Sequence, residues 1–200
     1  MQRIPTSRRE AILEAALDCF ANYGFAKSTM DDIRVRAGAS TGSLYHHFKS
    51  KEQLAAELYI EGVRRYQQGL TRELGRHDSA EAGIRGVVRH YLRWVERHPR
   101  WARYLSQSRQ AEFVAETEPT MRELNQSMKR KFADWVRPFV EVGDVLDLPG
   151  DLYVALLVGP VQAYSRMRQS GRAHTDLATA GEVLGEAAWK SIRVEKGAQT

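Results

Sequence analysis

Apolar residues recur at helical spacing along nearly the whole chain, and that period limits the fold more than any other feature. Ile12, Ala15, Ala16, Cys19, Phe20 and Tyr23 fall at i, i+3, i+4, i+7, i+8 and i+11, one face of an α-helix. The period returns at Ile84, Val87, Val88, Tyr91, Leu92 and Val95, then from Trp101 to Leu105, then at Met121, Leu124, Met128, Phe132, Trp135, Val136 and Phe139. Ser7 with Glu10, Thr29 with Asp32 and Ser50 with Gln53 are helix starts, because a side-chain oxygen can accept from the amide three residues on while that residue reaches back. Gly24 falls where a helix ends in a left-handed residue, and Ala37-Gly38-Ala39 makes a tight turn. Pro99, Pro119 and Pro149 stand near helix fronts, where a missing N–H costs least.

A long helix is expected from Ser50 to about Arg76, with Leu54, Leu58, Tyr66, Leu70 and Leu74 on its apolar side. The last two helices run from Leu152 to Met167 and from Leu177 to Ile192, and Gly159-Pro160 should bend the first of them without ending it. Val140 to Leu148 alternates around Gly-Asp as a β-hairpin would, but a lone pair of strands has no sheet to join. The fold class is therefore all-α.

At 200 residues the chain holds one large domain or two modest ones. A single cysteine, Cys19, excludes a disulfide scaffold and suits a small buried hydrophobe. No apolar run approaches the roughly 20 residues of a membrane span: Leu152 to Tyr164 is interrupted by Gly159, Pro160 and Gln162. Arg8, Arg9, Glu10, Glu14 and Asp18 stand where a signal peptide would be apolar, so a cytoplasmic location and no membrane partner are expected. Net charge is +5, with 12 basic against 9 acidic residues up to position 76 and 18 against 16 beyond it. Such a balance permits an acidic partner without requiring one.

The local pattern is sharper. Thr29 to Phe48 has the layout of a helix-turn-helix: a helix to about Arg36, a glycine turn, and a short helix from Ser40 to His47. Met30, Ile33, Ala37, Leu44 and Phe48 can bury both helices against Phe20 and Tyr23. Ser40, Thr41, Gly42, Ser43, Tyr45 and His46 are left as a small, hydrogen-bonding face, with Gly42 small enough for a close phosphate approach. Lys49 and Lys51 add charge at the start of the next helix. Gly38-Ala39-Ser40-Thr41-Gly42 also satisfies the G-x-S-x-G pattern of a nucleophile elbow. That pattern needs a buried strand before it, and Asp31 to Ala37 is charged and amphipathic. No HExxH, CxxC pair or Gly-rich phosphate loop is present, so no enzyme, cofactor or metal site is expected. His46 and His47 are neighbours on a helix and point apart.

These residues carry a family resemblance. Ala16 to Phe20 with Tyr23-Gly24-Phe25, Ser28 to Ile33, Ala37 to Ser40, Gly42 to Phe48, and Lys51-Glu52-Gln53-Leu54 together resemble the DNA-binding domain of the TetR (tetracycline repressor) family. The resemblance covers about a quarter of the chain, from about Arg8 to Leu58. It implies a DNA-binding domain at 1–50 (motif 29–48), a connecting helix at 51–76, and a ligand-binding and dimerisation domain at 77–200. It further implies a homodimeric repressor on near-palindromic double-stranded operator DNA, released by a small effector. Thr29, Ser40, Thr41, Ser43, Tyr45, His46 and Lys51 fall where members commonly touch DNA. The rival expectation is a helical adaptor that has lost specific DNA binding.

Two further expectations concern the C-terminal helices. A dimer interface is expected from Leu152, Leu156, Gly159, Ala163 and Met167 on one helix and Leu177, Ala180, Val183, Leu184, Ala187, Ala188 and Ile192 on the other. A pocket for a small hydrophobic effector is expected among Tyr91, Trp94, Trp101, Tyr104, Met121, Met128, Trp135 and Tyr164, with Asn125 and Gln162 as orienting groups and Arg103 and Arg109 available for an anionic head. Binding would favour a form in which the long helix from Ser50 has swung.

Overall fold

A computed structural model describes residues 7–108 and 111–195, the Glu116 side chain excepted. Arg109 lies outside the described residues. Those described form ten α-helices, α1 (Arg8–Tyr23), α2 (Met30–Arg36), α3 (Thr41–His47), α4 (Lys51–Leu74), α5 (Ala80–Arg97), α6 (Pro99–Ser108), α7 (Glu118–Glu141), α8 (Gly150–Leu157), α9 (Gly159–Gln169) and α10 (Leu177–Ile192), with a 3₁₀ turn at Glu112–Thr117. Among them no strand forms, and no helix is long and apolar enough to cross a membrane.

The chain divides into two compact units, Met1–Arg65 with His98–Glu123, and Tyr66–Arg97 with Leu124–Thr200. In the first, the caps form largely as their residues dictate. Ser7 accepts from the Glu10 amide. Thr29 and Asp32 complete a reciprocal capping box. Ser50 accepts from the Gln53 amide, but the Gln53 side chain reaches one residue further back, to the Lys49 amide at 2.8 Å. Gly24 and Gly38 adopt φ of +82° and +58°, a left-handed region that costs a side-chain-bearing residue strain. The core takes Ile12, Ala16, Cys19 and Phe20 from α1, Ile33 from α2, Leu44 and Phe48 around α3, and Leu54, Ala55 and Leu58 from α4.

Tyr23, expected in that core, is 57% exposed instead, because α1 ends beside it at Gly24. The sequence also assigns α6 to the C-terminal domain, yet α6 packs on α1. Tyr104 stacks on Phe20 and donates from its hydroxyl to the Ala55 carbonyl at 2.6 Å, and Arg100 pairs with Asp18 and Glu14. A buried hydroxyl without such an acceptor would cost more than the bond returns.

In the second unit α10 lies along α5. Gly181 and Gly185 face α5 and let the backbones approach: a Cβ at Gly185 would stand 3.6 Å from the Arg85 Cα. Val88, Leu92, Val136, Leu157, Val161, Ala188 and Ile192 fill the core beneath. The expected continuous helix from Leu152 is two helices separated by Val158, whose backbone stays helical (φ −104°, ψ −33°). Pro160 has no N–H to return to the preceding turn, so the hydrogen-bond ladder breaks there. Val140 to Leu148 is not a hairpin: α7 runs through Val140, Gly143 turns the chain, and Val145 bridges to Arg193 at the end of α10. The alternation in the sequence thus marks a partner distant in the chain.

Candidate nucleic-acid interface and apolar cavity

The α2–α3 pair is joined by Ala37–Ser40. Buried Ile33, Leu44 and Phe48 fix one side of each helix, and the remaining side of α3 faces solvent. Thr41, Gly42, Tyr45 and His46, spaced i, i+1, i+4 and i+5, form one exposed face, with Ser40 and Lys49 exposed at its two ends and Ser43 half-buried. Nothing lies within 4 Å of a Cβ placed at Gly42, so the face is open at its smallest residue. Ser40 is the N-cap of α3, accepting from the Ser43 amide at 3.2 Å, and a helix precedes it where a nucleophile elbow would need a strand.

Thr29 is exposed at the start of α2, but its hydroxyl is occupied, accepting from the Asp32 amide at 3.1 Å and donating to the Asp32 carboxylate at 2.7 Å. The hydroxyl and amide of Thr29 hold that carboxyl below its usual range. Lys49 donates to the Tyr45 carbonyl at 3.3 Å and stays exposed. Lys51 is half-buried, its ammonium donating to the carbonyls of Phe25 and Ser28. Among the described residues no group of three or more His, Cys, Asp or Glu could hold a metal.

The second unit contains a cavity of about 440 Å³. Leu70, Val87, Met128, Phe132, Tyr153 and Leu157 form much of its wall, and Lys129, Arg137, Glu141 and Asp147 supply polar groups. Of the ten effector residues expected from the sequence only Met128 lines it. Tyr91 and Trp94 gather around Tyr66, with ring centres 5.7 and 5.5 Å away. Trp135 packs between Phe132 and Phe139, Asn125 accepts from Gln67 at 3.0 Å, and Tyr164 donates to the Thr175 carbonyl at 2.6 Å. Gln162 is half-buried on α9 outside the lining. Trp101, Tyr104 and Met121 belong to the first unit, where Trp101 lines a charged groove and stacks under Arg65. Phe132, Tyr153 and Leu157 were legible only as helical core, since periodicity says which face is inward and not where packing leaves space.

The expected interface residues also separate. Leu152, Ala163, Met167, Val183 and Ala187 are exposed, and Leu156, Gly159, Leu177 and Leu184 are half-buried. Ala180, Ala188 and Ile192 are buried against α5 and α8 within the chain itself, which removes them from the expected interface. A helix whose apolar residues span more than one stripe can serve its own core with one and leave another outside.

The capped α2–turn–α3 with its core-anchored helices defines a helix-turn-helix protein. Residues 12–58 match the family described as bacterial regulatory proteins, tetR family. The transcriptional repressor KstR2 of Mycolicibacterium smegmatis is 46% identical over 68 residues, covering 32% of this chain and 33% of its own. The chain therefore spans about a third of that curated relative. A TetR-family regulator from Vibrio parahaemolyticus superposes with a TM-score of 0.79 at 20% identity, over 94% of this chain and 100% of its own. FadR of Bacillus subtilis, solved with stearoyl-CoA, superposes with a TM-score of 0.77 at 17% identity, over 91% and 98%. At those identities the likeness establishes the fold.

Proposed function

We propose that this protein is a cytoplasmic, ligand-responsive transcriptional repressor that binds a near-palindromic operator as a homodimer. The observation that carries it is the exposed, uncrowded face Thr41, Gly42, Tyr45 and His46 on a helix whose opposite side is buried. That helix enters the major groove, with Ser40, Ser43, Thr29 and Lys49 meeting phosphates or base edges beside it. In the dimer the two recognition helices stand about 34–36 Å apart, one turn of duplex. Exposed Leu152, Ala163, Met167, Val183 and Ala187 form the centre of the dimer interface, with Leu156, Gly159, Leu177 and Leu184 at its edge. An obligate interface of this kind buries roughly 2,000 Å² or more.

The effector is a small hydrophobic molecule seated in the apolar cavity of the second unit. The stearoyl-CoA held by the Bacillus subtilis relative supports an acyl or similarly apolar ligand. The ligand acts through α4, the helix common to both units, and a coupling of about 1–3 kcal/mol would lower operator affinity roughly 5- to 150-fold. The test is selection of bound fragments from a random duplex pool, repeated with apolar candidates present. Recovery of a two-fold related sequence, released by one class of ligand, is the expected result. Binding that shows no sequence preference after selection would overturn the operator reading.

A further inference from the structure

Lys51 is the first residue of α4, yet its ammonium turns back into its own unit. Nζ donates to the carbonyls of Phe25 and Ser28, each at 3.1 Å, and stands 4.3 Å from the centre of the Phe25 ring. Both carbonyls belong to the loop between α1 and α2, and Ser28 immediately precedes Thr29, the cap of α2. Ser28 is itself buried, and its hydroxyl donates to the Gly24 carbonyl at 2.8 Å. At the other end of α2, Arg8 donates to the Gly38 carbonyl at 3.1 Å and the Ala37 carbonyl at 3.4 Å, in the turn that leads to α3. Cations from α1 and α4 thus hold the two ends of the first helix of the motif.

An ammonium has three donors. Two of those of Lys51 are committed to carbonyls, and an aromatic face covers the charge, an arrangement that fixes the group and partly desolvates it. We propose that Lys51 is a positioning residue for DNA binding: it sets the start of α2, with Thr29, relative to α3, and does not neutralise a phosphate. This rests on the proposal that α2–α3 binds DNA. The two roles leave different signatures in salt. A cation that neutralises a phosphate releases counterions, so removing it lowers the slope of log affinity against log salt by about 0.9 per phosphate, or about 1.8 when both copies in the dimer are changed, whereas a positioning group changes affinity and leaves the slope alone.

The test measures affinity of the full chain for its selected duplex between roughly 50 and 200 mM salt. Lys51→Met should weaken binding about tenfold at every salt, the scale of one charge-assisted hydrogen bond, with the slope unchanged. Lys51→Arg, whose fork offers donors to two carbonyls, should recover most of the loss. Amide exchange read by mass spectrometry should quicken over residues 25–33 in Lys51→Met and stay unaltered in α10. Should Lys51→Met not fold, Lys51→Gln removes the charge and keeps two donors, and the same constancy of slope is required of it. A slope reduced by about 1.8, an unchanged affinity, or unchanged exchange at 25–33 overturns the proposal. If the wild-type chain binds no duplex, it is the DNA-binding reading that has failed, and the exchange experiment alone decides whether Lys51 holds the loop.

Discussion

Gly83→Ala should destabilise the second unit although alanine is the better helix former. Gly83 lies inside α5, and a Cβ added there would stand 2.1 Å from Cζ2 and 2.5 Å from Cη2 of Trp135. Carbon atoms in contact prefer about 3.5–4.0 Å, so the indole must move by more than about 1 Å. It has little freedom to do so, because its ring packs on Phe132 and Phe139 with centroids 5.8 and 5.1 Å away. Overpacking of this kind costs roughly 1–3 kcal/mol, and a ring held on two sides belongs near the top of that range. Helix propensity returns about 0.8–1.0 kcal/mol. The net loss is about 2 kcal/mol, close to a 1 M drop in urea midpoint for an m-value of about 2 kcal/mol/M. Urea unfolding followed by far-ultraviolet circular dichroism at fixed protein concentration measures it. In a Trp135→Phe background the overlapping atoms are gone and Gly83→Ala should become neutral or stabilising. A single mutant more stable than wild type, or a cycle additive within about 0.5 kcal/mol, would refute the packing argument.

Gly42→Ala has the opposite sign for stability, since its Cβ meets nothing within 4 Å: melting temperature should stay or rise slightly while operator affinity falls, and a gain in affinity would contradict the close approach. Lys49→Ala, which removes one cation from each subunit of the dimer, should lower the salt slope of duplex binding by about 1.8 in a titration that leaves Lys51→Met unaltered. Val183→Glu, at a position 63% exposed, should dissociate the dimer in sedimentation and leave a folded chain, whereas Ala188→Glu, 4% exposed, should unfold it; a stable Val183→Glu dimer would move the interface elsewhere. Burial holds the His90 imidazole below its usual 6.5, and its Nε2 is buried without a hydrogen-bond partner. Because the folded value is the lower one, its stabilisation is complete above about pH 6.5 and declines as pH falls through the folded value, so His90→Leu should flatten the pH dependence of urea stability over that interval.

Most helices and caps were legible in the sequence, the break at Val158 excepted. A helix start is a local event: Thr29 and Asp32 are three residues apart, and their mutual hydrogen bonds need no distant partner. The same locality made Gly24 and Gly38 readable, and it made α3 readable as a helix with one apolar and one polar side, from which the candidate DNA face follows. Three-dimensional packing alone decided the rest. Whether α6 joins α1 depends on Tyr104 meeting Phe20 and Ala55, residues 84 and 49 positions away in the chain, and no periodicity encodes such a meeting. Whether an apolar residue is core, cavity wall or interface is likewise a property of what lies opposite: Ala188 and Ala187 are neighbours of one type, one buried and one exposed. Lys51 shows the same limit for charge. Its place at a helix start suggests an anion partner, but the length of its side chain lets it reach the carbonyls of Phe25 and Ser28, and only the tertiary structure brings those within 3.1 Å.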